Sequence, residues 1–283
     1  MSDAAPVPGG TGVSARPGDG STGEPLLVVD GLKRHFGGVL AVDVDHLEIQ
    51  RGTMTALIGP NGAGKTTLFN LLTGFDKPDE GSWRFDGQDL HRRSASAVAR
   101  AGMVRTFQLT KALARLSVLD NVKLGAQGVT GERFFGALFT RWGASEPDIE
   151  ARALELLDLV RLGDKRDDDA ATLSGGQRKL LELARALMAE PTLLMLDEPM
   201  AGVNPALAEF LVERLFVIRD TGVTIVFVEH ELDVVMATAD HVICLAQGSV
   251  ISQGPPDAVL RDPAVEQAYL GASRTERRRE GGR

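Results

Sequence analysis

The segment Gly59-Pro-Asn-Gly-Ala-Gly-Lys-Thr-Thr67 constrains the rest of this chain, because it fits the pattern G-x-x-x-x-G-K-[ST]. That pattern works only between a strand and a helix. Met54-Thr-Ala-Leu-Ile58 before it is short, apolar and strand-like, and Leu68-Phe-Asn-Leu-Leu72 after it continues a helix. Gly59, Gly62 and Gly64 let backbone amides turn inward and approach phosphate oxygens with no side chain in the way. Pro60, Asn61 and Ala63 complete the loop, and Thr67 lies in the first helical turn. The helix opening near Lys65 adds its free amides and positive dipole end. On this reading Lys65 reaches the β- and γ-phosphates of a nucleotide, and the Thr66 hydroxyl binds Mg²⁺. The alternative is a glycine turn that happens to precede a helix with Lys-Thr; the strand and helix on either side argue against it.

Composition narrows the setting. The formal charge of −8 supplies no broad basic field for nucleic acid. The apolar fraction of 43% suffices for a substantial core. The single cysteine, Cys244, forbids an intrachain disulfide framework, fits a reducing compartment, and reads as filler in the apolar strand His241–Ala246. No apolar run approaches the roughly 18 residues of a membrane-spanning helix. The N-terminus lacks the basic-then-apolar pattern of a signal peptide, so the expectation is a cytoplasmic protein.

Residues 1–25 are rich in Gly, Ser, Pro, Ala and Thr and read as a disordered extension. Leu26–Val29, Val39–Val44 and Leu47–Ile49 read as antiparallel strands leading into Met54–Ile58. Between them, Phe36 on a glycine-flanked turn is either an adenine-stacking ring or a core or edge phenylalanine. Ser82–Asp86 is a strand, Ala95–Ala101 a short helix, and Met103–Phe107 a strand that ends at Gln108. The pattern then turns helical. Ser145 caps a helix with Pro147 in its first turn; Ile149, Ala153, Leu156, Leu157 and Val160 share one face, and Gly163 is expected to close it. Phe134, Phe135, Leu138, Phe139 and Trp142 before it are core, or in part face a partner. Leu173-Ser-Gly-Gly-Gln177 leads into a helix with the stripe Leu180, Ala184, Leu187 and Met188, stopped by Pro191. Thr192–Leu196 is an apolar strand ending at Asp197-Glu198. Asn204-Pro205 starts a helix, and Thr224–Val228 is a buried strand ending at Glu229-His230. Apolar strands alternating with helices predict a mostly parallel sheet covered on both faces, with ligands at the strands' carboxyl ends. Gly59, Gln108, Asp197, Glu198 and His230 all fall there.

The ordered set of the 59–67 loop, Gln108, Leu173-Ser-Gly-Gly-Gln177, Leu193-Leu-Met-Leu-Asp-Glu198 and His230 resembles the ATP-binding subunits of ABC transporters over about residues 26–270. Arg105-Thr-Phe-Gln108, Glu198-Pro-Met-Ala-Gly-Val-Asn-Pro205, Val228-Glu-His-Glu231 and Ala268-Tyr-Leu-Gly271 look more particularly like the branched-chain amino acid uptake ATPases, the first of the two such subunits. The resemblance implies an α/β P-loop NTPase core with a mostly parallel sheet, an antiparallel β subdomain and an inserted α-helical subdomain at about 109–175. The ATPase domain would span 26–258, with a C-terminal helix and basic tail in 259–283. It implies ATP and Mg²⁺ as ligands, with Thr66, Gln108 and Asp197 on the metal. Glu198 would serve as general base and His230 as donor to the γ-phosphate. Phe36 would be the adenine platform. Ser174, Gly175, Gly176 and Gln177 would cap ATP bound by the other subunit, since a helix N-terminus is itself an anion site.

The implied partners are two transmembrane permease subunits, a second related ATPase or a second copy, and indirectly a substrate-binding protein, with no nucleic acid. The implied location is the cytoplasmic face of the membrane. Two departures stand out: Asn204 where many such ATPases have Asp, and Phe36 in place of the commoner tyrosine. The rival readings are an ATPase of a urea or lipid system and a soluble ABC ATPase of translation or DNA repair. Against the latter stand the single P-loop, the absence of a long heptad run and the acidic balance. The tail Arg274–Arg279 is either a solvated end or a contact for anionic lipid.

Overall fold

A computed structural model describes residues 24–106, 115–127 and 146–270. The expectations for residues 1–23, Gln108, the aromatic cluster 134–142, Ser145 and the basic tail lie outside the described residues.

Strands β1 (Leu27–Phe36) and β2 (Val39–Ile49) form a long hairpin, longer than the segments read from sequence. With β4 (Glu80–Phe85) and β5 (Gln88–Asp89) they make an antiparallel sheet in the order β2-β1-β4-β5. A second sheet holds β3 (Met54–Ile58), β6 (Met103–Arg105), β7 (Leu193–Asp197), β8 (Thr224–Val228), β9 (His241–Ala246) and β10 (Ser249–Gly254). Its order is β10-β9-β3-β8-β7-β6, and only the β9–β10 pair is antiparallel.

Successive residues of the central strands serve opposite cores. Ile58, Leu196, Phe227 and Cys244 pack into the cluster that also holds the helical residues Leu156, Leu157, Leu181 and Ala184. Leu57, Met195, Val226, Val228 and Leu245 pack into the cluster with Trp83, Phe85 and Phe69, toward the antiparallel sheet. Each face of the strand is therefore apolar, which is why the sequence shows unbroken runs instead of alternation. Cys244 is fully buried in β9, as its run suggested.

The helices are α1 (Lys65–Leu72), α2 (Ala95–Arg100), α3 (Val118–Lys123), α4 (Glu146–Leu159), α5 (Gly175–Leu187), α6 (Pro205–Asp220), α7 (Leu232–Thr238) and α8 (Pro256–Leu260), followed by a last helix over 263–270. Asn204 caps α6, its Oδ1 accepting from Leu207 N–H at 2.9 Å, so the Asn for Asp exchange leaves the helix start intact. One expectation is corrected. Gly163 does not close α4; Arg161 takes the left-handed turn with φ 55°. Its N–H donates to Asp158 C=O at 3.0 Å and that of Leu162 to Leu157 C=O at 2.8 Å, the paired bonds of a Schellman end. The Arg161 guanidinium lies 4.5 Å from the Phe210 ring centroid, a cation–π contact that helps to hold the turn. The boundary placed at residue 258 falls inside α8, and Val259 and Val265 are buried in the same core as the sheet.

Candidate nucleotide-binding and catalytic site

The strand order brings the motifs together. β3 feeds the P-loop, β8 lies beside it and ends next to Glu229-His230, and β7 lies beside β8 and ends at Asp197. The register pairs Leu57 with Val228 and Val228 with Asp197, so the three carboxyl ends are level. Two glycines of the loop have no substitute. A Cβ on Gly59 (φ 144°) would collide with the Leu245 carbonyl, and one on Gly64 (φ 103°) with the Ala41 carbonyl. Ala63 C=O accepts from Gly248 N–H at 2.9 Å, and Gly248 C=O accepts from Asp43 N–H at 2.8 Å. The loop is thus clamped between the β9–β10 turn and the antiparallel hairpin.

Lys65 points back over the loop. It is buried, and its Nζ donates to Gly59 C=O at 2.6 Å and Pro60 C=O at 3.1 Å. Burial pushes its ammonium below the usual lysine value, opposed by the charges of Glu198 and Asp197. Phe36 ends β1 at 49% exposure, which removes the core alternative. The Arg34 guanidinium sits 4.8 Å from its ring centroid and is itself held by Asp76 and Asp79. The contact of Ala41 with Gly64 places this hairpin against the loop, where an exposed ring can receive a base.

Glu198 follows β7 in a left-handed conformation, φ 49°, uncommon for a residue with a side chain. Its N–H donates to Val228 C=O at 3.1 Å. Its Oε1 meets His230 Nε2 at 2.8 Å, so the structure joins two residues that the sequence supplies separately. Two residues not singled out in the sequence hold this turn. Lys179 of α5 donates from Nζ to Glu198 C=O at 2.8 Å and Pro199 C=O at 3.2 Å. Glu229, 2% exposed, accepts from Met200 N–H at 2.8 Å and His230 N–H at 3.3 Å, and burial raises its carboxyl above the usual range.

Asp197 is also engaged. Arg105, at the end of β6, donates from Nη2 to Asp197 Oδ2 at 2.6 Å and from Nη1 to Asn70 Oδ1 at 2.6 Å. Arg105 is legible in the sequence only as part of a motif; its partner depends on β6 lying beside β7. Arg105→Met should lower stability by about 1–2 kcal/mol, because Asp197 loses its cation but keeps partial solvent access. A urea midpoint unchanged from wild type, measured without nucleotide or metal, would show that the ion pair contributes nothing.

Among the described residues, no cluster of three or more His, Cys, Asp or Glu could hold a metal by itself. Thr66, Asp197 and Glu198, all oxygen donors, nonetheless line one cavity, which Arg105 and Lys179 also line. Mg²⁺ takes one or two protein oxygens and completes its shell with phosphates and water, so this donor set fits it. Ser174 and Gln177 form a capping box at the start of α5: Ser174 Oγ accepts from Gln177 N–H at 3.2 Å, and Gln177 Oε1 accepts from Ser174 N–H at 2.9 Å. None of Ser174, Gly175, Gly176 and Gln177 lines that cavity.

A parallel sheet with a glycine loop, a buried loop lysine, and paired acids at the adjoining strand ends defines a P-loop nucleoside triphosphatase. Comparison with known proteins narrows this. The family model described as "ABC transporter" matches residues 42–201. The chain is 40% identical over 251 residues to the probable branched-chain amino acid transport ATP-binding protein LivG of Archaeoglobus fulgidus, covering 89% of this chain and 97% of that one. It is 37% identical to the high-affinity branched-chain amino acid transport ATP-binding protein BraF of Pseudomonas aeruginosa, covering 87% and 98%. The ADP conformation of MJ1267, an ATP-binding cassette of an ABC transporter, superposes with a TM-score of 0.79 at 35% identity, covering 88% of this chain and all (100%) of that one. This chain belongs to the ABC transporter family, and it binds and hydrolyses ATP. No helix among the described residues is long and apolar enough to cross a membrane.

Proposed function

We propose that this chain is the ATPase subunit that powers an importer of branched-chain or other hydrophobic amino acids. The observation that carries the cargo reading is identity of 37–40% over nearly the full length of relatives named for branched-chain amino acid transport. Lys65 and backbone amides from the glycine loop into the first turn of α1 hold the phosphates, and Phe36 stacks on the adenine. Thr66 and Asp197, with Gln108, hold Mg²⁺, which when bound neutralises charge on the phosphate oxygens. Glu198 takes a proton from the attacking water as its oxygen bonds to the γ-phosphorus and the bond to the β–γ bridging oxygen breaks. His230, whose Nε2 meets Glu198 Oε1 in the structure, turns that N–H to the γ-phosphate when ATP is bound, which frees the carboxylate for the water.

Ser174, Gly175, Gly176 and Gln177 present a helix N-terminus to the ATP of a second ATPase subunit, a related one or a copy of this chain. Two ATP molecules then favour the closed pair, and hydrolysis releases it. The pair works on two transmembrane permease subunits at the cytoplasmic face, served by a substrate-binding protein. A tagged pull-down from native membranes in mild detergent tests this reading. Recovery of two hydrophobic permeases and an ATPase, followed by ATP-dependent leucine uptake in vesicles, is the expected result. Recovery of ribosomes or DNA-repair proteins instead would overturn it.

A further inference from the structure

Of the sequence motifs, Ala268-Tyr-Leu-Gly271 has no part in the phosphate chemistry. Its tyrosine, Tyr269, is the only one in the chain. The structure places it on the last described helix, 263–270, whose position is fixed from below. Val259 and Val265 are buried in the main core, and Asp262 accepts from Ala264 N–H at 2.9 Å at the helix start. From there Tyr269 reaches the P-loop, and its hydroxyl accepts from Gly59 N–H at 3.0 Å. Gly59 is the residue whose carbonyl holds Lys65 Nζ at 2.6 Å, and the Leu245 carbonyl blocks its other side. Burial pushes the phenol up to about 12, so it remains a neutral hydroxyl at any physiological pH.

We propose that Tyr269 is a positioning residue for the P-loop: by fixing the Gly59 peptide it sets how the loop and Lys65 are presented to phosphate, and so lets the C-terminal helix control ATP affinity. The physical reason is hydrogen-bond accounting. A buried Gly59 N–H without the phenol has no acceptor, and the loop relieves this by rotating the peptide, which re-aims the loop toward a shape that fits phosphate less well.

The test uses the full chain with Tyr269→Phe and Tyr269→Ala. Phe keeps the ring packing and removes only the acceptor. It should raise Kd and KM for ATP about fivefold. It should leave kcat within about twofold and the melting temperature within about 2 °C. Amide exchange at Gly59 should quicken while that at Ala56 and Leu57 stays slow. Ala should show the same rise in KM together with a lower melting temperature. A Phe variant with wild-type Kd and KM overturns the proposal. So does one that loses stability and kcat together with KM unmoved, since that is the signature of packing alone.

Discussion

Glu198→Gln should reduce the steady-state rate of phosphate release by about 10²–10³-fold while ATP affinity stays within about threefold of wild type. The expectation rests on what the substitution leaves alone. Glutamine keeps an oxygen for His230 Nε2, the 2.8 Å partner of Glu198 Oε1. The left-handed backbone of residue 198 is held by Val228 C=O and Lys179 Nζ through hydrogen bonds to its N–H and C=O. What is removed is the carboxylate's negative charge, and with it the ability to accept a proton from water. Because ATP still binds and is not consumed, a two-subunit, ATP-bound species should accumulate, visible as a shift in size-exclusion chromatography that EDTA reverses. Wild-type turnover in this variant would remove Glu198 from the role of base.

Lys65→Ala should weaken ATP binding by about 100-fold, the loss of roughly two charge-assisted hydrogen bonds to phosphate. The lysine rests on the loop carbonyls of Gly59 and Pro60, buried and with its charge disfavoured by that burial. Exchanging carbonyl partners for phosphate oxygens relieves this, so binding gains more than the bare contact suggests. Titration of a fluorescent ATP analogue checks the prediction, and unchanged affinity would contradict the P-loop assignment. Melting temperature without nucleotide should fall far less than affinity, since the two carbonyls keep access to water once the side chain is cut back.

The two variants separate binding from chemistry, and Tyr269→Phe adds a third position in which affinity moves without the side chain touching phosphate. Arg105→Met probes the outer strand end. Together they reach the site from several strands: β3 through Lys65, β7 through Glu198, and β6 through Arg105, with β9 reached through the contact of Gly59 with Leu245.

Much of this site is legible in the residues themselves. Strand-ending positions are visible because an apolar run stops at a charged residue, as at Leu196-Asp197 and Val228-Glu229. Caps are visible because Ser, Asn and Pro act locally, as Asn204-Pro205 and Ser174 do. The end of α4 is not, because glycine is the usual residue for a left-handed turn and Gly163 stands nearby. Arg161 adopts that turn instead, with its guanidinium on the Phe210 ring and two hydrogen bonds closing the helix. Phe36 is ambiguous in sequence, and its exposure excludes only the core reading.

The elements and the phosphate loop follow from neighbours in the chain: glycine where a Cβ cannot fit, apolar runs where both faces are covered, caps where amides lack partners. Which charges meet is a property of the folded arrangement alone. Arg105 and Asp197, Glu198 and His230, Lys179 and the Glu198 carbonyl, and Tyr269 and Gly59 are all far apart in sequence. Their meeting depends on the order β9-β3-β8-β7-β6, and local pattern cannot supply that order, because each of these strands is apolar on both faces and would suit any place in the sheet.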